Sequence, residues 1–204
     1  IVDFGCGKAY LTFALYHYLH VMKGYSLKII GLDLKEEVVT FCQKLGKKLN
    51  FEHLQFLVGD INHYETDETI DLMISLHACD TATDAALAKA VNWKVSAILS
   101  VPCCQHELFT QIENQTLNPL LKHGILKERF SALVTDAARA QILEIAGYRT
   151  QVLEFIDMEH TPKNLLIRAI KAAEPSNKQK LLESYQLFKQ ELKINPSLEI
   201  LLLS

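Results

Sequence analysis

Short apolar runs alternate with helical stripes along most of the chain. Residues 1–4 read as the end of a strand, closed by Gly5-Cys6-Gly7. The stripe Leu11, Ala14, Leu15, Tyr18, Leu19 and Met22 then has helical spacing and breaks at Gly24 and Ser26. A second run over 28–34 is apolar at successive positions, as a parallel strand covered on both faces should be. Val38, Phe41, Cys42, Leu45 and Leu49 mark another helix. Strands follow over 54–60 and 70–76, then an alanine-rich helix over about 80–91 and a fifth strand over 96–101 that ends at Pro102.

The segment from about 107 to 126 is irregular. A helix through Val134, Ala138, Ile142 and Ile145 stops at Gly147, a residue suited to end a helix. Two last strands, 148–156 and 165–170, are joined through Thr161-Pro162, a connection short enough for an antiparallel hairpin. Repeated strand–helix alternation with short links predicts α/β architecture: a doubly wound, mostly parallel seven-stranded sheet with a terminal antiparallel hairpin. This domain is expected to span 1–172. Residues 173–204 form a helical extension, with Ser176 and Gln179 as a capping box before the face Leu181, Tyr185, Phe188 and Leu192.

Composition narrows the picture. Half-apolar content (49%) over 204 residues can bury one substantial core. No apolar stretch reaches the roughly 18 residues of a membrane span, so no membrane partner is expected. A formal charge of -3 argues against a long nucleic-acid footprint, although a local basic patch would still allow RNA. Five scattered cysteines make no disulfide framework and read as reduced thiols in the cytoplasm. Because Ile1 already lies in a strand-like run, the chain is expected to be a piece of a longer protein.

Three strand ends carry the first chemistry. Gly5 and Gly7 let the backbone turn tightly and approach a ligand. Asp33, 26 residues after Gly7, can accept both ribose hydroxyls of an adenosine, where the plainer reading is a turn acid. Asp60 can accept from an adenine amino group while Ile61 packs on the ring; alone, Gly59-Asp60 is an ordinary turn. Dinucleotide-binding enzymes share part of this pattern, but their fingerprint requires a third glycine where this chain has Tyr10.

With those features in view, the chain resembles class I S-adenosylmethionine (SAM)-dependent methyltransferases, from Ile1 to about Ala172. More narrowly, it is similar to the methyltransferase-domain family of uncharacterised bacterial and eukaryotic methyltransferase-like proteins. The segments 2–8, 76–84 (LHACDTATD), 101–108 (VPCCQHEL) and 161–164 (TPKN) carry the likeness. The resemblance implies a Rossmann-like fold, SAM as cofactor, and contacts to it from Asp3, Gly5, Cys6, Gly7, Tyr10, Asp33, Leu34, Asp60, Ile61, Leu76 and His77. Asp3 would meet the amino group of the methionine portion, and Leu76 and His77 would lie beside that portion. The acceptor is not carried over; RNA is the first expectation by analogy, with protein and small molecules open and the oligomeric state unassigned. The Asn-Pro-Pro-Tyr signature of amino-methylating enzymes is replaced by Leu76-His77-Ala78-Cys79.

The ends of the fourth and fifth strands should border the methyl-transfer pocket. His77 or His106 could take a proton from the acceptor. Asp80, Asp84, Pro102 and Cys104 are candidates to touch it. Cys103 could act as a covalent nucleophile, although the Pro-Cys that RNA cytosine methyltransferases carry after the fourth strand is missing. A metal held by Cys79, Cys103, Cys104 and His106 is a third reading, awkward for adjacent cysteines. Small buried thiols shaping the pocket are the expectation, with no metal assigned. Asp136, Arg139, His160, Lys163 and Asn164 could also face the acceptor; for Asp136 and Arg139 the plainer reading is a surface i,i+3 pair.

Overall fold

A computed structural model describes residues 1–76, 78–154, 165–172 and 177–203. Seven strands form one sheet: β1 (Val2–Phe4), β2 (Ile29–Asp33), β3 (Leu54–Val58), β4 (Leu72–Ser75), β5 (Ala97–Ser100), β6 (Tyr148–Glu154) and β7 (Leu165–Lys171). Their order is β3-β2-β1-β4-β5-β7-β6. The first five are parallel, while β7 runs antiparallel to both β5 and β6. This is the expected doubly wound sheet with its terminal antiparallel pair; the Thr161-Pro162 connection lies outside the described residues. The order reverses between β1 and β4, so a crevice opens beyond their carboxyl ends, where open α/β sheets bind ligands.

The helices are α1 (Tyr10–Tyr16), α2 (Glu36–Lys48), α3 (Thr81–Asn92), α4 (Asn118–Leu121), α5 (Gly124–Ile145), α6 (Lys178–Leu192) and α7 (Ser197–Leu203). Side chains alternate across a strand, so Val2 and Phe4 face one way and Asp3 the other. Val2 and Phe4 enter the larger core with α3, α5, Tyr185 of α6 and Leu198 of α7. The opposite face packs Cys6, Ala9, Tyr16, Val39 and Cys42 on Ile29, Leu54 and Phe56. Gly31 is required there, because a Cβ on it would lie 2.6 Å from the Phe56 ring.

Two helical stripes differ from expectation. The inward residues of α1 are Thr12 and Tyr16, whereas Tyr18 and Met22 are exposed. Thr12 can turn inward because its hydroxyl finds a buried partner, and a π-helical segment over His17–Met22 shifts the stripe beyond it. In α2 the buried positions are Val39, Cys42 and Gly46, leaving Phe41 and Leu49 exposed. Helix α6 begins after Asn177, which makes no side-chain cap; Ser176 lies outside the described residues. Its inward face is the expected one, with Tyr185 and Leu192 buried.

Candidate functional site

The loop after β1 is shaped by its backbone. Gly5 and Gly7 sit at φ 68° and 53°, a region that favours glycine. The amides of Gly5 and Cys6 both donate to Leu32 O (2.8 and 3.0 Å), fastening the loop to β2. Gly7 N donates to Asp33 Oδ2 at 2.9 Å and Lys35 N to Asp33 Oδ1 at 2.9 Å. A carboxylate offers about four lone-pair positions, so Asp33 retains acceptor capacity on both oxygens.

Asp3 is the unusual group. It is 3% exposed, and Thr12 Oγ1 donates to its Oδ2 at 2.5 Å. Among the described residues no donor reaches its Oδ1. Burial pushes the Asp3 carboxyl up to about 6; the Thr12 hydroxyl opposes this and the charge of Asp33 adds to it. A buried oxygen without a partner is costly and calls for a donor from elsewhere.

Two clefts meet at this loop. One, of about 500 Å³, is lined by Asp3, Cys6, Gly7, Tyr10, Leu11 and Leu76 among others. The other, of about 530 Å³, is lined by residues that include Gly5, Asp33, Leu34, Asp60, Ile61 and Cys79. Gly7 and Lys8 belong to both. These sizes are typical of small-molecule sites. A larger cleft of about 790 Å³, near Ile112–Lys127 and the end of α6, touches none of the parallel strand ends. Asp60 accepts from Asn62 N (2.9 Å) and Asn62 Nδ2 (3.0 Å), bonds that hold its carboxyl below the usual range. Gly5, Gly7, Asp33, Asp60 and Ile61 therefore share one cavity. Cys6 contributes backbone, since its thiol is buried in the smaller core. Tyr10 (76% exposed) and Leu34 (71%) line the clefts as uncovered side chains. Sequence reasoning passed over Thr12, although a hydroxyl among apolar neighbours one turn into a helix signals a buried partner.

Several candidates near β4 and β5 have other tasks. Asp84 is buried, with Arg139 Nε donating to its Oδ1 (2.8 Å) and Nη2 to its Oδ2 (2.9 Å). Arg139 Nη1 also donates to Asp136 Oδ1 (3.2 Å), and Gln105 Nε2 to Asp136 Oδ2 (2.9 Å). Asp136 and Arg139 are thus interior groups, correcting the surface-pair reading. Asp80 ties loops together: its Oδ1 accepts from the amides of His106 (3.0 Å) and Glu107 (3.2 Å). Pro102 is buried, with its carbonyl accepting from Gln105, and the His106 side chain is exposed.

The thiols are not all buried, contrary to expectation: Cys79 is exposed and Cys103 and Cys104 are half-buried. Burial pushes the Cys103 thiol up to about 12, and Cys79 and Cys104 push the same way. That direction favours the thiol over the thiolate that a covalent nucleophile needs. His77, His160, Lys163 and Asn164 lie outside the described residues.

A crevice at the switch point, ringed by acids on three strand ends, is where an open α/β sheet of this topology takes a ligand. A methyltransferase-domain family model matches residues 1–111, and the chain belongs to that family. The human glutathione S-transferase C-terminal domain-containing protein is 22% identical over 192 residues, covering 82% of this chain and 29% of that protein. The chain thus spans less than a third of the curated relatives it matches. Magnesium protoporphyrin IX methyltransferase from Synechocystis, solved with bound SAM, shares the fold at TM-score 0.52 and 15% identity, over 84% of this chain and 69% of that one. An rRNA methylase from Streptococcus thermophilus does so at TM-score 0.51 and 15% identity, over 84% and 86%.

Proposed function

We propose that this domain binds SAM across the two clefts and transfers its methyl group to a nucleophile, with RNA the acceptor to be tested first. Asp3 Oδ1, to which none of the described residues donates, carries the reading. It is a buried anionic acceptor in want of a donor, and the ammonium of a methionine moiety is such a donor. Asp33 would accept the ribose hydroxyls and Asp60 the adenine amino group, with Ile61 against the ring and Leu76 beside the methionine chain. When bound, SAM supplies a methyl carbon made electrophilic by the adjacent sulfonium.

The residues of this chain orient, exclude water and move a proton. His106, exposed on the loop after β5, is one candidate to take the acceptor's proton. His77 shares that candidacy. The family likeness and the rRNA methylase of similar fold support RNA. The overall charge of -3 requires any basic surface for it to be local. Five free thiols support a cytoplasmic location.

Calorimetric titration with SAM, S-adenosylhomocysteine and NAD tests the cofactor; binding of NAD without SAM would overturn it. For the acceptor, tritiated SAM is incubated with RNA, protein and metabolite fractions. Label in RNA is expected, and label confined to protein or metabolites would replace RNA with that class.

A further inference from the structure

Three thiols left without a task by methyl transfer meet where the second cleft ends. Cys79 follows β4, and Cys103 and Cys104 follow β5. Their sulfurs all lie within 4.8 Å of one another, with Cys79 and Cys103 3.1 Å apart. A tetrahedral zinc about 2.3 Å from each sulfur separates its sulfurs by roughly 3.8 Å. The 3.1 Å pair and the 4.8 Å limit on the others lie within about 1 Å of that spacing. Cysteines that serve as small hydrophobes are buried, as Cys6 and Cys42 are. These three instead sit where a cation can reach them, with Cys79 lining the crevice.

The loops that carry the sulfurs are held from behind. Asp80 N donates to Cys104 O at 3.2 Å, joining the segment of Cys79 to that of Cys104. The Asp80 carboxylate grips the amides of His106 and Glu107. To do so Asp80 adopts φ 50°, a strained conformation for a residue with a Cβ. Arg139 Nη2 donates to Asp80 O at 2.8 Å and is itself fixed by Asp84 and Asp136. Such outer supports orient the ligands of metal sites.

We propose that Cys79, Cys103 and Cys104 form a thiolate site for a zinc ion, with water completing its coordination. Three protein ligands and one open position are the pattern of zinc sites that exchange a ligand. On binding, three S–H protons leave to solvent, three Zn–S bonds form, and nothing is oxidised or reduced. A Cys79–Cys103 disulfide would use only two of the three sulfurs and needs an oxidant.

The test uses the 204-residue chain, stripped with chelator under reductant and titrated with zinc chloride by calorimetry in buffers of different ionisation enthalpy. One zinc per chain is expected, with proton release and retention of the metal through desalting. Cobalt in its place should give thiolate-to-metal charge-transfer absorption. C79S and C103S should each weaken zinc by about tenfold or more, whereas C42S leaves zinc affinity unchanged. C79S alters an exposed side chain, and circular dichroism verifies its fold. Substoichiometric zinc, no proton release, or binding unchanged in a C79S/C103S double variant would overturn the proposal. Metal content is read without SAM, so this outcome is separate from that of the methyltransferase reading.

Discussion

Replacing Asp3 with Asn should weaken the cofactor while strengthening the fold at neutral pH. The folded carboxyl, raised by burial from 3.8 to about 6, holds its proton more tightly than the unfolded chain does. For this group, stability is highest below 3.8 and falls as pH climbs through about 6, after which the cost is constant. At about 1.4 kcal/mol per pH unit, the full cost of the buried charge is ~3 kcal/mol. Asn keeps the volume, and its carbonyl can still accept from Thr12. Its amide would then lie unpartnered at the position of Oδ1, costing ~1–3 kcal/mol. The net at pH 7.5 is a gain of about 1 kcal/mol, measured by urea denaturation. Between pH 7.5 and 5 that advantage should shrink by roughly 1.5 kcal/mol, because the wild-type carboxyl regains its proton. SAM affinity at pH 7.5 should fall about ten- to a hundredfold with loss of one charged hydrogen bond. A stability difference that ignores pH, or an unchanged SAM affinity, would refute the assignment of Asp3.

Wild-type SAM affinity should be level above pH 7 and drop by up to about tenfold per unit well below 6, as Asp3 takes up its proton; calorimetry with Asp3→Asn should show a flatter profile. Asp33→Ala should weaken SAM by about ten- to a hundredfold with the circular dichroism of the fold retained, and unchanged affinity would remove Asp33 from the site. Arg139→Met leaves Asp84 and Asp136 as uncompensated buried charges and should cost ~3–5 kcal/mol in denaturant unfolding. Adding Asp84→Asn should recover part of that loss.

The five parallel strands were legible because each is a short apolar run, and four of them run out into an acid, glycine or proline. The helical faces were less so. Thr12 reads as outward until Asp3 is known to stand opposite, a relation between a strand and a helix that periodicity ignores. Helix α7 was overlooked because its apolar run, Leu198 to Leu203, follows closely on α6 and carries little polar contrast. At the site, Asp33 and Asp60 could be found because strand ends are local features. The Asp84–Arg139 pair spans 55 residues and the Cys79–Cys103 contact 24. The second depends on β4 lying beside β5 and the first on Arg139 of α5 reaching Asp84 of α3, which no local pattern reports.

The same geometry decides between SAM and a dinucleotide on firmer ground than the residue at position 10. A pyrophosphate bound at a strand–helix turn requires free amides and positive charge. Here the amides of Gly5, Cys6, Gly7 and Ala9 are already spent on Leu32 O, Asp33 Oδ2 and Cys6 O. Helix α1 has only seven α-helical residues to lend its dipole. The crevice also presents three acids, Asp3, Asp33 and Asp60, against two lysines, Lys8 and Lys35. Anionic phosphates would meet repulsion from the very carboxylate whose proton affinity is already raised by crowding and burial. A ligand carrying an ammonium and a sulfonium relieves that strain, so the electrostatics of the loop select a cationic cofactor even before the adenosine contacts are counted.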